Sequence, residues 1–477
     1  MSHADDKNGI KKRTLNFMKK TTIDYKKAIK YAVKIIDALL PSKIQYDRIP
    51  ALSVGLVHNG KIVYKRGFGF ADVESLEPAT PNTCYRIASI SKTFTAVAIM
   101  QLAEQGKLHL DDKIHKYLPW FKSRSKDSDS NNITIRQILS HTAGVFRDGN
   151  TPHWADDKFP DITGLQKSIS KAVVFENLTR FKYSNFGFAL LGEVVKKISG
   201  VSYNEYVSEN IIKKLGMERT APDLTKENEG WLAKGYSRSI PNKEREAFHH
   251  IPTNAYASAT GFLSNVSDLA KYLSALSLKN KNANQLINKE SKKEIMREYW
   301  ATGEDNESYG LGFTACKIEN RKIVGHSGSF SGFITAIALD TENDIGVITL
   351  SNTNDSSAYQ VNQGIFEAIY KLADEKDRYT EGKKILNQEK YEGIYRLRWG
   401  DYVVAGLDAN LIAFGPITNS PIKDTTLLKP NGKNRFIMDS KSNFGSNGEY
   451  ATFVFEKDKR KASKLIWGST PYERLEE

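Results

Sequence analysis

The sequence predicts an α+β fold followed by a smaller antiparallel β-barrel, and three observations carry that reading. Strand-like alternation opens the main region at Ala51–Gly69 and returns over 323–353, with helical patterns and loops between, so one sheet must be assembled from distant pieces. A charged stretch, ADEKDRYTEGKKILNQEKYEG, follows Leu372 and carries a short helix. Beyond it come seven or eight short apolar runs parted by turn residues, the pattern of a closed or nearly closed barrel of about 90 residues. The expected division is a basic leader over 1–23, a main domain over 24–375, a linker over 376–389 and the barrel over 390–477.

Each element has its own signal. YKKAIKYAVKIIDALLP, Tyr25 to Pro41, sets Ala28, Ile29, Ala32, Val33, Ile36 and Leu40 at helical spacing, and Pro41 is expected to end that helix. ALSVGLVHNGKIVYKRGFG alternates on either side of Asn59-Gly60, a strong short hairpin signal. TFTAVAIMQLAEQGKL is apolar nearly all round, which marks a buried helix ending near Gly106. The polar run KSRSKDSDSNN reads as an exposed loop, and IVGHSGSFSGFITAIALDTENDIGVITLSNT reads as strands with a turn at Glu342 to Asp344.

Composition narrows the class. The chain has 477 residues, 40% hydrophobic and 26% charged, as an ordinary globular protein does. Of its net charge of +13, a surplus of 7 sits in residues 1–45, which hold 11 basic and 4 acidic side chains. No nucleic-acid motif accompanies that charge, so a solvated basic face is expected, with neither nucleic acid nor membrane as partner. Two cysteines, Cys84 and Cys316, are too few for a disulfide framework or a cysteine metal site and point to a reducing compartment. The N-terminus lacks an apolar signal-peptide core and no run of about 18 apolar residues occurs, so a cytoplasmic location is expected.

The letters SISK occur twice, at Ser89–Lys92 and Ser168–Lys171, and Ser-x-x-Lys four times in all, with Ser123 and Ser420 as the other starts. On a helix, positions i and i+3 share a face, so serine and lysine can touch. Burial separates the four: an ammonium stripped of water loses basicity and can take a proton from a hydroxyl. Ser89 stands just ahead of the buried helix, with Lys92 one turn in against the core. Ser168 lies on a segment that reads as solvated, Ser123 in the polar loop, and Ser420 before a proline in the barrel. Ser89 is favoured over the alternative of a simple capping serine.

A Ser-Lys pair needs a second proton handler and an oxyanion hole. RFKYSNFGFALLGEVV offers Tyr183 and Asn185, and GHSGSFSGF offers His326, Ser327, Gly328 and Ser329. Ser89-x-x-Lys92, Tyr183-Ser184-Asn185 and His326-Ser327-Gly328, spaced 94 and 143 residues apart, resemble the three motifs of class C β-lactamases and related penicillin-binding-protein-like serine hydrolases. RIASISKTFTA, ITIRQILSHTAGV, ASATGFLSNVSDLAKY and YGLGF match the same family, and the barrel resembles the lipocalin-like domain of some members.

The resemblance implies a β-lactamase/transpeptidase-like antiparallel sheet flanked by helices, with a helical subdomain. It makes Ser89 the acylated nucleophile, with Lys92 and Tyr183 sharing the proton work, the lysine cation lowering the phenol's pKa. Asn185 would hold Lys92 and the substrate amide, Ser327 and Gly328 would line the site with His326, and the backbone N–H groups of Ser89 and Ser329 would form the oxyanion hole. No metal or cofactor is implied. His141 of LSHTAG reads as a structural hydrogen-bonding residue, and His326 and Tyr183 retain the alternative of plain packing roles.

The chain departs from the family twice. Penicillin-recognising members carry lysine in the third motif, where this chain has His326, which disfavours a true β-lactamase or D-Ala-D-Ala carboxypeptidase relative to a peptidase or esterase. The family often has Pro-Gly ahead of the tyrosine; here Asn177-Leu178 stands, with asparagine expected to keep the turn. The expected substrate is a small peptide, ester or β-lactam-like amide. Homo-oligomerisation stays open, as does a catalytically idle scaffold. Motifs of other enzyme classes, such as G-x-x-x-x-G-K-[ST] and H-E-x-x-H, are absent from the sequence.

Overall fold

The computed structural model describes residues 23–122, 130–155, 158–169, 172–279, 285–441 and 445–475. Nearly all of the expected leader, most of the polar loop with Ser123, and Lys171 of the second SISK lie outside the described residues.

In chain order, α1 spans Tyr25–Tyr46, β1 Ala51–His58, β2 Lys61–Asp72 and β3 Glu77–Pro78. The buried helix α2 is Ser91–Glu104, α3 is Asn185–Ser199 and α4 is Val266–Leu276. Strands β4 (Trp300–Ala301), β5 (Glu307–Tyr309), β6 (Thr314–Ile318), β7 (Arg321–Phe330), β8 (Phe333–Asp340) and β9 (Ile345–Ser351) precede α5, Ala358–Asp374. Among the described residues these nine strands make one sheet in the order β3-β2-β1-β9-β8-β7-β6-β5-β4, every pairing antiparallel. The N- and C-terminal pieces of the region thus meet at β1–β9, as the sequence predicts.

Both faces of the sheet are covered, which is why β1 and β9 read as nearly continuous apolar runs. Leu52, Val54, Leu56, Ile345 and Val347 pack on the side of α1 and α5. Val57, Ile348 and Leu350 face the other core, shared with α2, α3 and α4. The hairpin turn has Asn59 and Gly60 both at positive φ, 51° and 69°, the geometry that Asn-Gly provides cheaply in a two-residue loop.

One expectation fails at α1. Pro41 lies inside the helix, which runs on to Tyr46. Proline removes only the bond to the Asp37 carbonyl, and the buried stripe continues across it through Leu39, Leu40, Ser42 and Lys43. The Lys43 ammonium, itself buried, donates to the Ile417 carbonyl at 3.0 Å and pairs with Asp47 at 2.8 Å, tying this last part of α1 to the barrel. Strands β4–β6 are further elements that the sequence pattern did not disclose, being two to five residues long and polar.

The C-terminal runs form a closed eight-stranded barrel: β10 Gly393–Leu397, β11 Gly400–Gly406, β12 Leu411–Phe414, β13 Thr426–Pro430, β14 Arg435–Ser440, β15 Tyr450–Val454, β16 Lys464–Trp467 and β17 Thr470–Arg474. Tyr391, Tyr395, Phe436 and Phe453 fill its interior. Its outer wall, with Val403, Ala405, Leu407 and Phe414, shares one apolar cluster with α1 and α5. Asp408 adds polar links, accepting from Tyr31 Oη at 2.7 Å and pairing with Lys34 at 3.4 Å. Among the described residues no helix is long and apolar enough to cross a membrane.

Ile35 of α1 is fully buried in that shared cluster. Ile35→Ala is expected to cost about 2–5 kcal/mol and to lower one common unfolding transition in calorimetry. A barrel that melts separately, at an unchanged temperature, would contradict the shared core.

Candidate active site

Ser89 sits in a 3-10 turn, Ala88–Ile90, that leads directly into α2. The turn is strained, with Ala88 at φ 48°, and is pinned at several points. Ile87 N–H donates to the Phe262 carbonyl at 2.9 Å, and the Ser91 hydroxyl donates to Ala88 O and accepts from Phe262 N–H. A Cβ on Gly328 would lie 2.2 Å from the Ile87 carbonyl oxygen, so only glycine lets β7 approach the Ser89 turn this closely.

Lys92, one turn into α2, is completely buried. Its Nζ lies 2.7 Å from Asn185 Oδ1, 2.8 Å from the Ala259 carbonyl and 3.1 Å from Ser89 Oγ. Desolvation pulls its pKa well below the ordinary lysine value, opposed by Asp148 and assisted by Arg147. A neutral amine has two N–H groups and one lone pair. Asn185 Oδ1 and Ala259 O can only accept, so the two N–H groups go to them and the lone pair is left for the Ser89 hydroxyl.

Asn185 opens α3 behind the N-cap Ser184, and its amide is oriented from outside: Nδ2 donates to Asp148 Oδ1 at 2.6 Å, which turns Oδ1 to Lys92. The Arg147 carbonyl accepts from Asn185 and Phe186 N–H, holding this loop against the start of α3. Tyr183 Oη donates to Ser89 Oγ at 2.8 Å. Contrary to the expected lowering by a lysine cation, burial pushes the Tyr183 phenol up, with the Ser89 bond and Arg147 opposing. Desolvation acts on both groups in the same sense, disfavouring the lysine cation as it disfavours the phenolate.

His141 frames Tyr183. Its carbonyl accepts from Lys182 N–H at 2.8 Å, its Nδ1 accepts from Ser184 N–H at 3.1 Å, and its ring lies 4.3 Å from the tyrosine ring. Burial keeps His141 neutral, as accepting through Nδ1 requires.

On the opposite wall stands β7. Strand β6 pairs with it only as far as Gly325, so from His326 to Phe330 that edge is open to the cavity. Phe330 and Phe333 pair across a two-residue turn, and antiparallel alternation then turns the Ser329 N–H away from β8 toward the open edge. His326 Nε2 lies 2.9 Å from Tyr309 Oη and Nδ1 2.6 Å from the Ser327 carbonyl. The carbonyl fixes the proton on Nδ1, and Tyr309 donates to Nε2. Burial pushes the His326 pKa down to about 3, so it stands as a neutral ring.

These walls enclose a cavity of about 790 Å³, lined by Ser89, Tyr183, Asn185, His326, Ser327, Gly328 and Ser329 among others. Its size suits a small organic substrate.

A family model described as Beta-lactamase matches residues 36–369, well over half the chain. The chain belongs to the beta-lactamase family. Protein flp of Staphylococcus aureus (strain MW2) is 27% identical over 370 residues, 74% of this chain and 69% of that protein. Penicillin-binding protein 4* of Bacillus subtilis (strain 168) is 28% identical over 331 residues, 66% of this chain and 69% of that protein. Among solved structures, the octameric penicillin-binding protein homologue from Pyrococcus abyssi aligns with a TM-score of 0.62 and 26% identity, over 92% of this chain and 99% of that one. A D-stereospecific amidohydrolase from Streptomyces sp. shares the fold at a TM-score of 0.58 and 21% identity, over 73% of this chain and 98% of that one.

Within this beta-lactamase-family fold, Ser89, Tyr183, Asn185, His326, Ser327 and Gly328 of the three motifs line one cavity and Lys92 lies directly beneath it, while Ser184 is spent as an N-cap. The other Ser-x-x-Lys serines with described positions lie elsewhere: Ser168 caps a short helix and is buried, not solvated as expected, and Ser420 bonds to Glu367. Sequence reasoning gave no role to Asp148, Arg147, Tyr309 or the Ala259 carbonyl: the first two lie in no motif, and the last two lie in the family-like stretches YGLGF and ASATGFLSNVSDLAKY without being singled out there. It also misplaced the turn ahead of Tyr183: Leu178, not Asn177, takes the left-handed conformation, at φ 61°. Asn177 instead donates from its side chain to Gln137 at 3.0 Å.

Leu178 is 56% exposed and buries little in return for that conformation. Leu178→Gly is therefore expected to stabilise the protein by about 1 kcal/mol, read as a raised melting temperature. An unchanged or lowered value would mean that the left-handed leucine carries no net strain.

Proposed function

We propose that the chain is a serine hydrolase that cleaves an amide or ester bond through an acyl-enzyme on Ser89, and that a small peptide or ester is its substrate. The observation that carries this reading is the buried amine of Lys92, whose two obligate acceptors leave its lone pair aimed at Ser89 Oγ. Family membership alone would not suffice, since one fold hosts many activities.

In this reading Lys92 takes the Ser89 proton as Oγ bonds to the substrate carbonyl carbon. The oxyanion that forms is met by the N–H groups of Ser89 and Ser329. Tyr183 gives its proton to the departing nitrogen or oxygen and regains one from Lys92, so the pair returns to amine and phenol. Water then repeats the sequence on the ester, and Ser89 is released. Asp148 acts as a positioning residue through Asn185, and His141 as one for Tyr183.

The neutral His326, with both nitrogens engaged, supports a peptidase or esterase over a true β-lactamase or D-Ala-D-Ala carboxypeptidase. A cationic third-motif residue would attract a substrate carboxylate, and this ring does not. Among the described residues the barrel contributes none to the cavity lining, which supports a role in packing or assembly; the octameric Pyrococcus neighbour supports the assembly reading. Both cysteines are free, in keeping with a cytoplasmic location. The division into a hydrolase domain over 24–375 and a barrel domain over 390–477, joined by 376–389, is part of the same proposal.

Two variants test the chemistry. Ser89→Ala is expected to abolish covalent labelling by a fluorophosphonate and to lower ester turnover on the order of 10⁴-fold. Lys92→Arg, a cation that cannot serve as base, is expected to cut the labelling rate of intact protein on the order of 10³-fold. Undiminished labelling of Ser89→Ala would move the nucleophile elsewhere, and unaffected labelling of Lys92→Arg would remove the lysine from the proton path.

A further inference from the structure

The charged groups around the catalytic cavity do not balance. Three of its lining residues carry a formal charge: Arg147, Asp148 and Glu307. The first two are tied together, with Arg147 Nε 3.1 Å from Asp148 Oδ2, and Asp148 Oδ1 is taken by Asn185. Lys92 beneath the cavity and His326 on its wall are both held toward their neutral forms by burial. Among the described lining residues, one carboxylate remains.

Glu307 lies on β5 two residues before Tyr309, whose hydroxyl holds His326. Strand periodicity puts Glu307 and Tyr309 on one face. The carboxyl is half-buried, and among the described residues the influences on it are its own desolvation, the Thr302 side chain and the like-charged Glu304, with no cation among them. Desolvation and like charge both hold its pKa above the ordinary value, and a positive partner would relieve both. The end of the cavity next to His326, where penicillin-recognising relatives place a lysine, thus offers the opposite sign.

We propose that Glu307 is a specificity-determining residue that receives a protonated amine on the substrate, so that the cavity takes cationic amides or esters in preference to neutral or carboxylate-bearing ones. This rests on the serine-hydrolase reading for its catalytic readout, and adds to it the charge of the substrate. Arg147 does not counter it, because its guanidinium is engaged by Asp148 and lies 5.3 Å over the Tyr183 ring.

The experiment compares kcat/KM for p-nitrophenyl esters of ω-amino acids of graded chain length with their ω-methyl and ω-carboxy counterparts. Acetate esters of ω-amino alcohols and of plain alcohols serve for an amine on the departing side. At the best length the amine is expected to be favoured about tenfold over its alkyl counterpart, the carboxylate to be the poorest, and the preference to shrink with added salt. In Glu307→Gln the amine-to-alkyl ratio is expected to fall to about one. A wild-type ratio near one in both series, a preference for the carboxylate, or a ratio that survives in Glu307→Gln overturns the proposal.

Ser89-dependent turnover of the alkyl esters separates the two claims: if it is present while the ratio is one, only the charge preference fails. If no ester turns over, calorimetric titration with hexylamine and hexanol supplies a readout free of catalysis. Tighter binding of the amine that Glu307→Gln abolishes supports the proposal, and equal binding of the two overturns it.

Discussion

A lysine amine without water is the constraint around which the rest of the molecule is arranged. Burying Lys92 disfavours its charged form, because the hydration it loses is not replaced by any anion in contact. The folded state therefore binds a proton less readily than the unfolded chain does. That costs stability most at low pH, less as pH rises from the depressed pKa toward the ordinary lysine range, and nothing above it. A protein tolerates such a cost where the neutral amine has a use, and a hydroxyl 3.1 Å away supplies one.

The surrounding architecture keeps that amine dry and its lone pair directed. Helix α2 is buried from Ser91 to Leu102, so the lysine has no route along its own helix to solvent. Asp148 orients Asn185, Asn185 and Ala259 occupy the two N–H groups, and His141 holds Tyr183 from both flanking backbone positions. Gly328 lets β7 come against the Ile87 carbonyl and so brings Ser329 N–H to the wall facing Ser89. Behind the sheet, α1, α5 and the barrel share one core, which fixes the opposite face, and none of their described residues lines the cavity.

Much of this was legible in the chain. Asn59-Gly60 dictates its hairpin, the barrel declares itself in turn-separated apolar runs, and the contrast between Lys92 in an all-apolar helix and the other Ser-x-x-Lys lysines singles out one serine of four. What could not be read has physical reasons. Pro41 stays helical because packing outweighs one missing hydrogen bond, and packing is a tertiary quantity. Leu178 adopts a conformation that local preference assigns to asparagine, held by the bond from its N–H to the Thr142 carbonyl. The sign of the Tyr183 shift depended on how deeply the phenol itself is buried, and Asp148, Arg147 and Glu307 sit on ordinary-looking segments whose place at the cavity arises only from what folds against them.

The proposed chemistry requires Lys92 to be an uncharged amine at neutral pH. Its titration can be followed directly by the Cε resonance of selectively ¹³C-labelled lysine, assigned by comparison with Lys92→Arg. A deprotonation midpoint well below the ordinary lysine value is expected, with the resonance already in its neutral position at neutral pH. A Lys92 resonance that titrates with the surface lysines would contradict it.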